Sequence, residues 1–264
     1  MYDNLHDAVL AWYDREGRDL PWRRTRDPYA ILVSEVMTQQ TQVARVVPYY
    51  TRWLARWPTV AALADAQPAD VVSAWVGLGY NVRALRLQAA ARVVARDGWP
   101  RDTAGLLSLS GIGPYTAAAV SAFAFGERVA AVDTNVRRVA QRIGTTPDDL
   151  LPQRRHVDWN QAAMELGATV CTARAARCDA CPAAPWCASR GLVPAAPKPA
   201  RGPRERFAGS DRWARGRIVA ALVAGHGMPA EIEPVRLERL LAALERDGLV
   251  ERTHEGVGLP RRPR

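Results

Sequence analysis

The chain has 264 residues, 48% of them hydrophobic, enough for a full core, so disorder is not the default expectation. A formal net charge of +9 points to a polyanionic partner. No apolar run reaches membrane-spanning length, and Met1 to His6 lack the basic-then-apolar order of a secretory signal, so a cytoplasmic location is expected. Nearly all the positive charge is arginine. The single lysine, Lys198, lies in a Pro-rich segment and is the one candidate for any lysine nucleophile.

Asp3 to Tyr13 carries an amphipathic pattern (Leu5, Val9, Leu10, Trp12) that predicts a first helix. The Arg18-Asp-Leu-Pro-Trp-Arg23 stretch and the Arg-Asp-Pro of residues 26–28 predict a loop, because the residue before a proline disfavours helix. Helices are then expected over about 29–39, 41–57, 59–66, 68–76 and 83–96, with Gly77-Leu-Gly-Tyr80 as a glycine-hinged turn. No run alternates with period two for long, so the main body is predicted all-α. Beyond Cys187 a Pro-rich linker is expected within 191–210, then helices over 211–224 and 234–247 and a hairpin near 248–259. Helix, helix and wing together resemble a minimal winged-helix module, although a small packing appendage fits the same pattern.

Three stretches carry chemistry. In the first, Leu106 to Leu109 leads into Ser110-Gly-Ile-Gly-Pro114, and an Ala-rich helix begins at Tyr115. Gly111 and Gly113 permit a tight turn, Pro114 suits the start of a helix, and the free N–H groups there make a seat for phosphate. Further on, Asp133 stands before the basic helix containing Asn135. In the second stretch, Ser34 to Val43 places Met37, Gln39, Gln40 and Gln42 beside Glu35, a combination suited to base edges and duplex wedging. In the third, Cys171, Cys178, Cys181 and Cys187 form C-x6-C-x2-C-x5-C, which reads as thiolate ligation of a metal or cluster, with zinc as one alternative.

Taken together, these motifs resemble the MutY-type adenine DNA glycosylases of the helix–hairpin–helix, endonuclease III superfamily, over roughly residues 5–190. The resemblance implies an endonuclease III-like helical fold of two lobes. An iron–sulfur lobe is expected from 1–22 with 126–190, a six-helix lobe from 23–125, and a winged-helix-like tail from 211–264. It also implies a [4Fe–4S] cluster on the four cysteines, with Arg174 and Arg177 facing phosphates. The implied partner is double-stranded DNA with a mismatched or oxidised base pair, bound by a monomer that is nucleoid-associated when on DNA.

Site roles follow from the same resemblance. Glu35 falls at the position of the acid that protonates the leaving adenine, and Asp133 at that of the carboxylate that stabilises the cationic sugar. Such a pair needs opposite protonation states, Glu35 neutral and Asp133 ionised. Tyr115 stands where the endonuclease III branch has a lysine nucleophile, which implies a monofunctional enzyme. Asn135 is expected near the reaction centre. Leu20, Trp22 and Arg23 match the adenine-pocket wall, Glu165 a residue that hydrogen-bonds the base, and Gln40 and Tyr80 residues that intercalate at the lesion.

Thr38, Asn81 and Thr134 depart from the family pattern, and the residues after the linker leave no room for a Nudix-like domain. A smaller or more polar pocket lining at Thr38 and relaxed reading of the opposite base are therefore expected. The rival readings are a thymine or uracil mismatch glycosylase, a bifunctional lyase and a non-enzymatic iron–sulfur DNA-binding regulator.

Overall fold

A computed structural model describes residues 2–192, 207–254 and 256–261; most of the expected linker, including Lys198, lies outside the described residues. The described residues form twelve α-helices and one two-stranded hairpin. The helices are α1 (Asp3–Glu16), α2 (Pro28–Thr38), α3 (Val43–Arg56), α4 (Val60–Asp65), α5 (Pro68–Trp75) and α6 (Val82–Asp97), then α7 (Thr103–Leu107) and α8 (Pro114–Phe125). They continue with α9 (Thr134–Ile143), α10 (His156–Thr169), α11 (Asp211–Val223) and α12 (Pro234–Arg246), followed by strands β1 (Glu251–Thr253) and β2 (Gly256–Gly258).

Local chemistry sets several of these boundaries. Thr59 caps α4 by accepting from the Ala62 N–H, Pro68 and Pro114 occupy first helical positions, and Ser210 caps α11 through the Trp213 N–H. Asp133 does the same for α9, accepting from the Val136 N–H at 2.7 Å. Each side chain fills an N–H that the helix itself leaves unbonded.

The chain divides into two compact units. The first comprises Met1–Ile31, Arg101–Leu107 and Ile112–Gly202; the second comprises Leu32–Pro100, Ser108–Gly111 and Pro203–Arg264. The first unit is built on α1, α9 and α10, whose Leu5, Val9, Val139, Ile143, Trp159 and Leu166 share one core. In the second, Trp53 meets Trp57 and Trp75 edge-on at 4.7 and 5.4 Å between ring centroids.

Helices α7 and α8 group with the cysteine-bearing unit, and the C-terminal tail is continuous with the other. In the tail, Ile218, Val219, Leu240, Leu241 and Leu244 share a core with Val72 of α5, and Val76, Val82 and Leu85 pack against it. The hairpin pairs antiparallel, Glu251 opposite Gly258 and Thr253 opposite Gly256. The helix–helix–wing order is as expected, but this module leans on α5 and α6 because neither of its two helices can bury its apolar face alone.

Candidate functional site

In the second unit, Glu35 lies on α2 and is 7% exposed. Thr38 ends that helix with its hydroxyl donating to the carbonyls of Ser34 and Glu35, at 2.8 and 3.2 Å. The polar group expected in a pocket wall is thus directed onto the helix backbone. Met37 is fully buried, so it belongs to the core and not to a duplex-facing wedge, while Gln39 is half-buried and Gln40 exposed.

Gln40 and Tyr80 share an unusual feature: both are non-glycine residues in the left-handed region, with φ of 54° and 49°. A buried arginine ties their two turns together. Arg83 Nη1 donates to the carbonyls of Val36 and Gln39, each at 2.7 Å, and Nη2 to that of Gly79 at 2.9 Å. Its guanidinium also lies over the rings of Trp75 (5.3 Å) and Tyr80 (5.7 Å). Burial without a carboxylate pulls the Arg83 pKa down to about 10. Sequence reasoning missed this residue, though the signal was present: Arg83 falls in helical phase with buried Leu87 and Ala91. Nearby, the Asn81 side-chain oxygen is buried with no hydrogen-bond partner.

The hairpin between α7 and α8 is as expected at Gly111, whose φ of 76° suits glycine. Gly113 has φ −94°, which any residue adopts, so it is not needed for the turn. It is the N-cap of α8, with no side-chain cap there and Pro114 at the first helical position. Tyr115, on the first turn of α8, is half-buried and directs its hydroxyl to the Met164 sulfur at 3.7 Å.

The first unit orders Asp133 through a chain of contacts. Asn135 Nδ2 donates to Asp133 Oδ2 at 2.8 Å, and Arg138 Nη2 donates to Asn135 Oδ1 at 2.7 Å. Arg138 also donates to the carbonyls of Gly167 (2.7 Å) and Cys171 (2.9 Å). Helix α10 can come this close because Gly167 has no side chain: a Cβ there would sit 2.6 Å from Asn135 Cβ. Sequence reasoning named Asp133 and Asn135 but missed Arg138 and Gly167, which hold them. Their signal was spacing, since Arg138 stands one helical turn after Asn135.

Glu165, fully buried on α10, accepts from Arg18 Nε at 2.6 Å, Arg18 Nη2 at 3.0 Å and Arg23 Nη2 at 2.7 Å. Burial pushes its carboxyl up, but the two guanidinium groups overcome this and hold it below the ordinary value. Both oxygens are thus engaged with arginine in this arrangement. Arg23 donates further to Gln161 Oε1 (3.0 Å) and the Arg18 carbonyl (2.9 Å). Leu20 and Trp22 beside it are each 8% exposed.

Cys171, Cys178, Cys181 and Cys187 are free thiols lining one open hollow, which Arg142, Arg177 and Arg190 also line. Arg142 Nη1 donates to Cys171 Sγ at 3.2 Å and to the Thr172 carbonyl at 2.8 Å. Arg177 Nη2 donates to the Thr169 carbonyl at 2.6 Å at the end of α10, and both Arg177 and Arg174 are exposed. Among the described residues, no three Cys, His, Asp or Glu side chains close on a point as ligands of a single ion would.

Comparison with known proteins places this geometry in a family. Residues 33–159 match the HhH-GPD superfamily of base excision DNA repair proteins. The chain is 45% identical to an adenine DNA glycosylase of Mycobacterium tuberculosis, over 94% of this chain and 90% of that one. Among solved structures, a thermostable thymine-DNA glycosylase superposes with a TM-score of 0.66 at 28% identity, covering 72% of this chain and 96% of that one. Endonuclease III in a non-covalent DNA complex superposes with a TM-score of 0.61 at 22% identity, covering 71% and 94%, and shares the fold. The chain belongs to the adenine DNA glycosylase family of the HhH-GPD superfamily.

Proposed function

We propose that this protein is a monofunctional DNA glycosylase that removes adenine mispaired with 8-oxoguanine or guanine. The observation that carries the reading is the treatment of Asp133. It caps α9, is held by Asn135, and its orientation is fixed through Arg138 and the glycine-permitted approach of α10. So constrained a carboxylate suits the stabilisation of positive charge on a sugar, where pre-set orientation avoids reorganisation in the transition state.

In the proposed reaction the adenine is flipped from the stack, because the bond to be broken is inaccessible in intact duplex. The glycosidic C1′–N bond breaks with its electron pair leaving on the base, and Glu35 gives a proton to a ring nitrogen of the departing adenine. Asp133 stabilises the sugar cation until water adds at C1′ and loses a proton, leaving an abasic site. By sequence position Tyr115 stands where the endonuclease III branch has a lysine nucleophile, which supports base release without strand cleavage. Glu165, set by Arg18 and Arg23, is the proposed hydrogen-bonding group for the base beside the wall formed by Leu20, Trp22 and Arg23. The first turn of α8 with Gly111 and Gly113 is the proposed phosphate seat, and Gln39, Gln40 and Tyr80 the proposed contacts at the mispair.

The cysteines fit a [4Fe–4S] cluster: four thiols line one hollow, with no carboxylate or imidazole among the described lining residues. When bound, such a cluster supplies four metal–thiolate cross-links. The protein's own contribution is to seat Cys171 by hydrogen bonds from Arg138 and Arg142 and to present Arg174 towards a phosphate backbone.

Single-turnover base release from duplexes carrying adenine opposite 8-oxoguanine, guanine, cytosine and thymine, and thymine opposite guanine, tests the substrate. Release of adenine opposite 8-oxoguanine and guanine is expected to outpace the others. Release from T:G exceeding it would move the assignment to a pyrimidine mismatch enzyme.

A further inference from the structure

Resting on the reading of Tyr80 as a contact at the mispair, we propose that the C-terminal tail supplies the other half of that contact. Phe207 and Arg212 form with Tyr80 an aromatic–guanidinium–aromatic platform that grips the distorted duplex. Arg212 Nη1 donates to the Tyr80 hydroxyl at 2.9 Å. Its guanidinium carbon lies 5.5 Å from the centre of the Tyr80 ring and 4.9 Å from that of Phe207. The aromatic members face solvent, Tyr80 at 43% and Phe207 at 57% exposure.

Local stability does not account for this cluster. Arg212 stands in the first turn of α11, where the helix dipole disfavours a cation. Its neighbours in the tail rest on carboxylates: Arg215 on Asp247, Arg217 on Glu231, and Arg236 and Arg239 on Asp211. Among the described residues, Arg212 has an exposed tyrosine for a partner instead. A guanidinium has five N–H donors, and the Tyr80 hydroxyl takes one, leaving a planar, charged edge.

The platform is also rigid at both ends. Arg83 fixes the Gly79–Tyr80 turn from beneath, and Ala214, Ile218 and Val219 lock α11 into the core shared with Val72. Unstacked bases bind such surfaces, because every base offers a face to an aromatic ring and its phosphate seeks a guanidinium. Fixing the pose beforehand lowers the ordering cost of binding.

The test is equilibrium binding of the full chain to duplexes with a central A:8-oxoguanine or A:T pair, for wild type, Arg212→Ala, Arg212→Lys, Phe207→Ala, Tyr80→Ala and the Arg212→Ala/Tyr80→Ala double variant. Arg212→Ala is expected to weaken binding of the mispaired duplex roughly tenfold and of the matched one less than about threefold, in line with base–aromatic stacking. Arg212→Lys is expected to behave like the alanine variant, since charge alone does not restore the stack. Phe207→Ala is expected to weaken mispair binding roughly fivefold. In the Tyr80→Ala background the Arg212→Ala effect is expected to fall below about twofold, because the two side chains act as a unit. An unchanged melting temperature for Arg212→Ala is expected, as the tail core is untouched.

The platform is overturned if Arg212→Ala binds the mispair as wild type does. It is equally overturned if the loss is the same on both duplexes and reversed by lysine, or if it persists in full without Tyr80. Binding needs no base release, so the substrate assignment is judged separately, on wild-type turnover. A protein that releases no adenine but obeys this cycle keeps the platform and loses the assignment.

Discussion

Each unit fixes a turn with buried arginine chemistry, and the two do it in opposite ways. In the first, the buried carboxylate of Glu165 joins Arg18 and Arg23 and so ties the Arg18–Arg23 segment to α10. In the second, Arg83 joins the end of α2 to the Gly79–Tyr80 turn mainly through backbone carbonyls, with a longer bond to the Thr41 hydroxyl at 3.4 Å. The ion-paired arrangement balances its charge, and the carboxylate is held below its ordinary pKa. Arg83 has carbonyl dipoles, one hydroxyl and two aromatic faces but, among the described residues, no carboxylate ion pair, and its pKa is drawn down to about 10. What it retains in return is a pair of left-handed residues, Gln40 and Tyr80. Backbone strain of this sort persists where the surroundings over-determine it, and such places are characteristically functional. The comparison teaches that the carboxylate-centred cluster is built for stability and the carbonyl-centred one for presenting two side chains.

Arg83→Ala is the most severe way to break the contrast. It strands three carbonyls that now receive charged donors, at a cost of about 3 kcal/mol, and frees both left-handed turns. Thermal unfolding should register the loss, and mispair binding should fall with it. Arg83→Lys is expected to recover part of the stability and little of the binding, because an ammonium cannot reproduce the planar fork. Recovery of binding in step with stability would reduce Arg83 to an ordinary core contact.

Glu165→Gln sharpens the other side of the contrast, at about 2 kcal/mol, since it keeps the shape and removes the charge. The sign of its pH dependence follows from the lowered carboxyl. The ion pair contributes fully above the ordinary value of 4.5 and is lost as pH falls through the lower folded value. Wild type should therefore lose stability on the acid side of that window more steeply than Glu165→Gln. Parallel pH profiles would mean the cluster is not the acid-sensitive tie described here.

Much of this was legible in the sequence. Helix starts marked by Thr59, Pro68, Asp133 and Ser210 could be read because capping is local, decided within three or four residues. The cysteines and the carboxylates stood out because their chemistry restricts residue type. What escaped was the support: Arg83, Arg138, Gly167 and Arg212 are common residue types whose meaning depends on partners distant in sequence. The same blindness covers Thr38, whose hydroxyl bonds its own helix, and Met37, which is core. Likewise the tail's helices and hairpin were readable from period and turn residues, but its union with α5 and α6 depends on packing across long sequence separations.

The central claim is that Glu35 supplies the proton on which base release depends, and one substitution tests it most directly. Glu35→Gln keeps the side chain's size and removes its proton-donating function. Single-turnover release of adenine opposite 8-oxoguanine is expected to fall by about a thousandfold or more, consistent with loss of a general acid. Affinity for the same duplex should stay within about threefold of wild type, since the phosphate and stacking contacts are untouched. Release at an undiminished rate, or loss of affinity in proportion to activity, would contradict the account and make Glu35 a structural residue of α2.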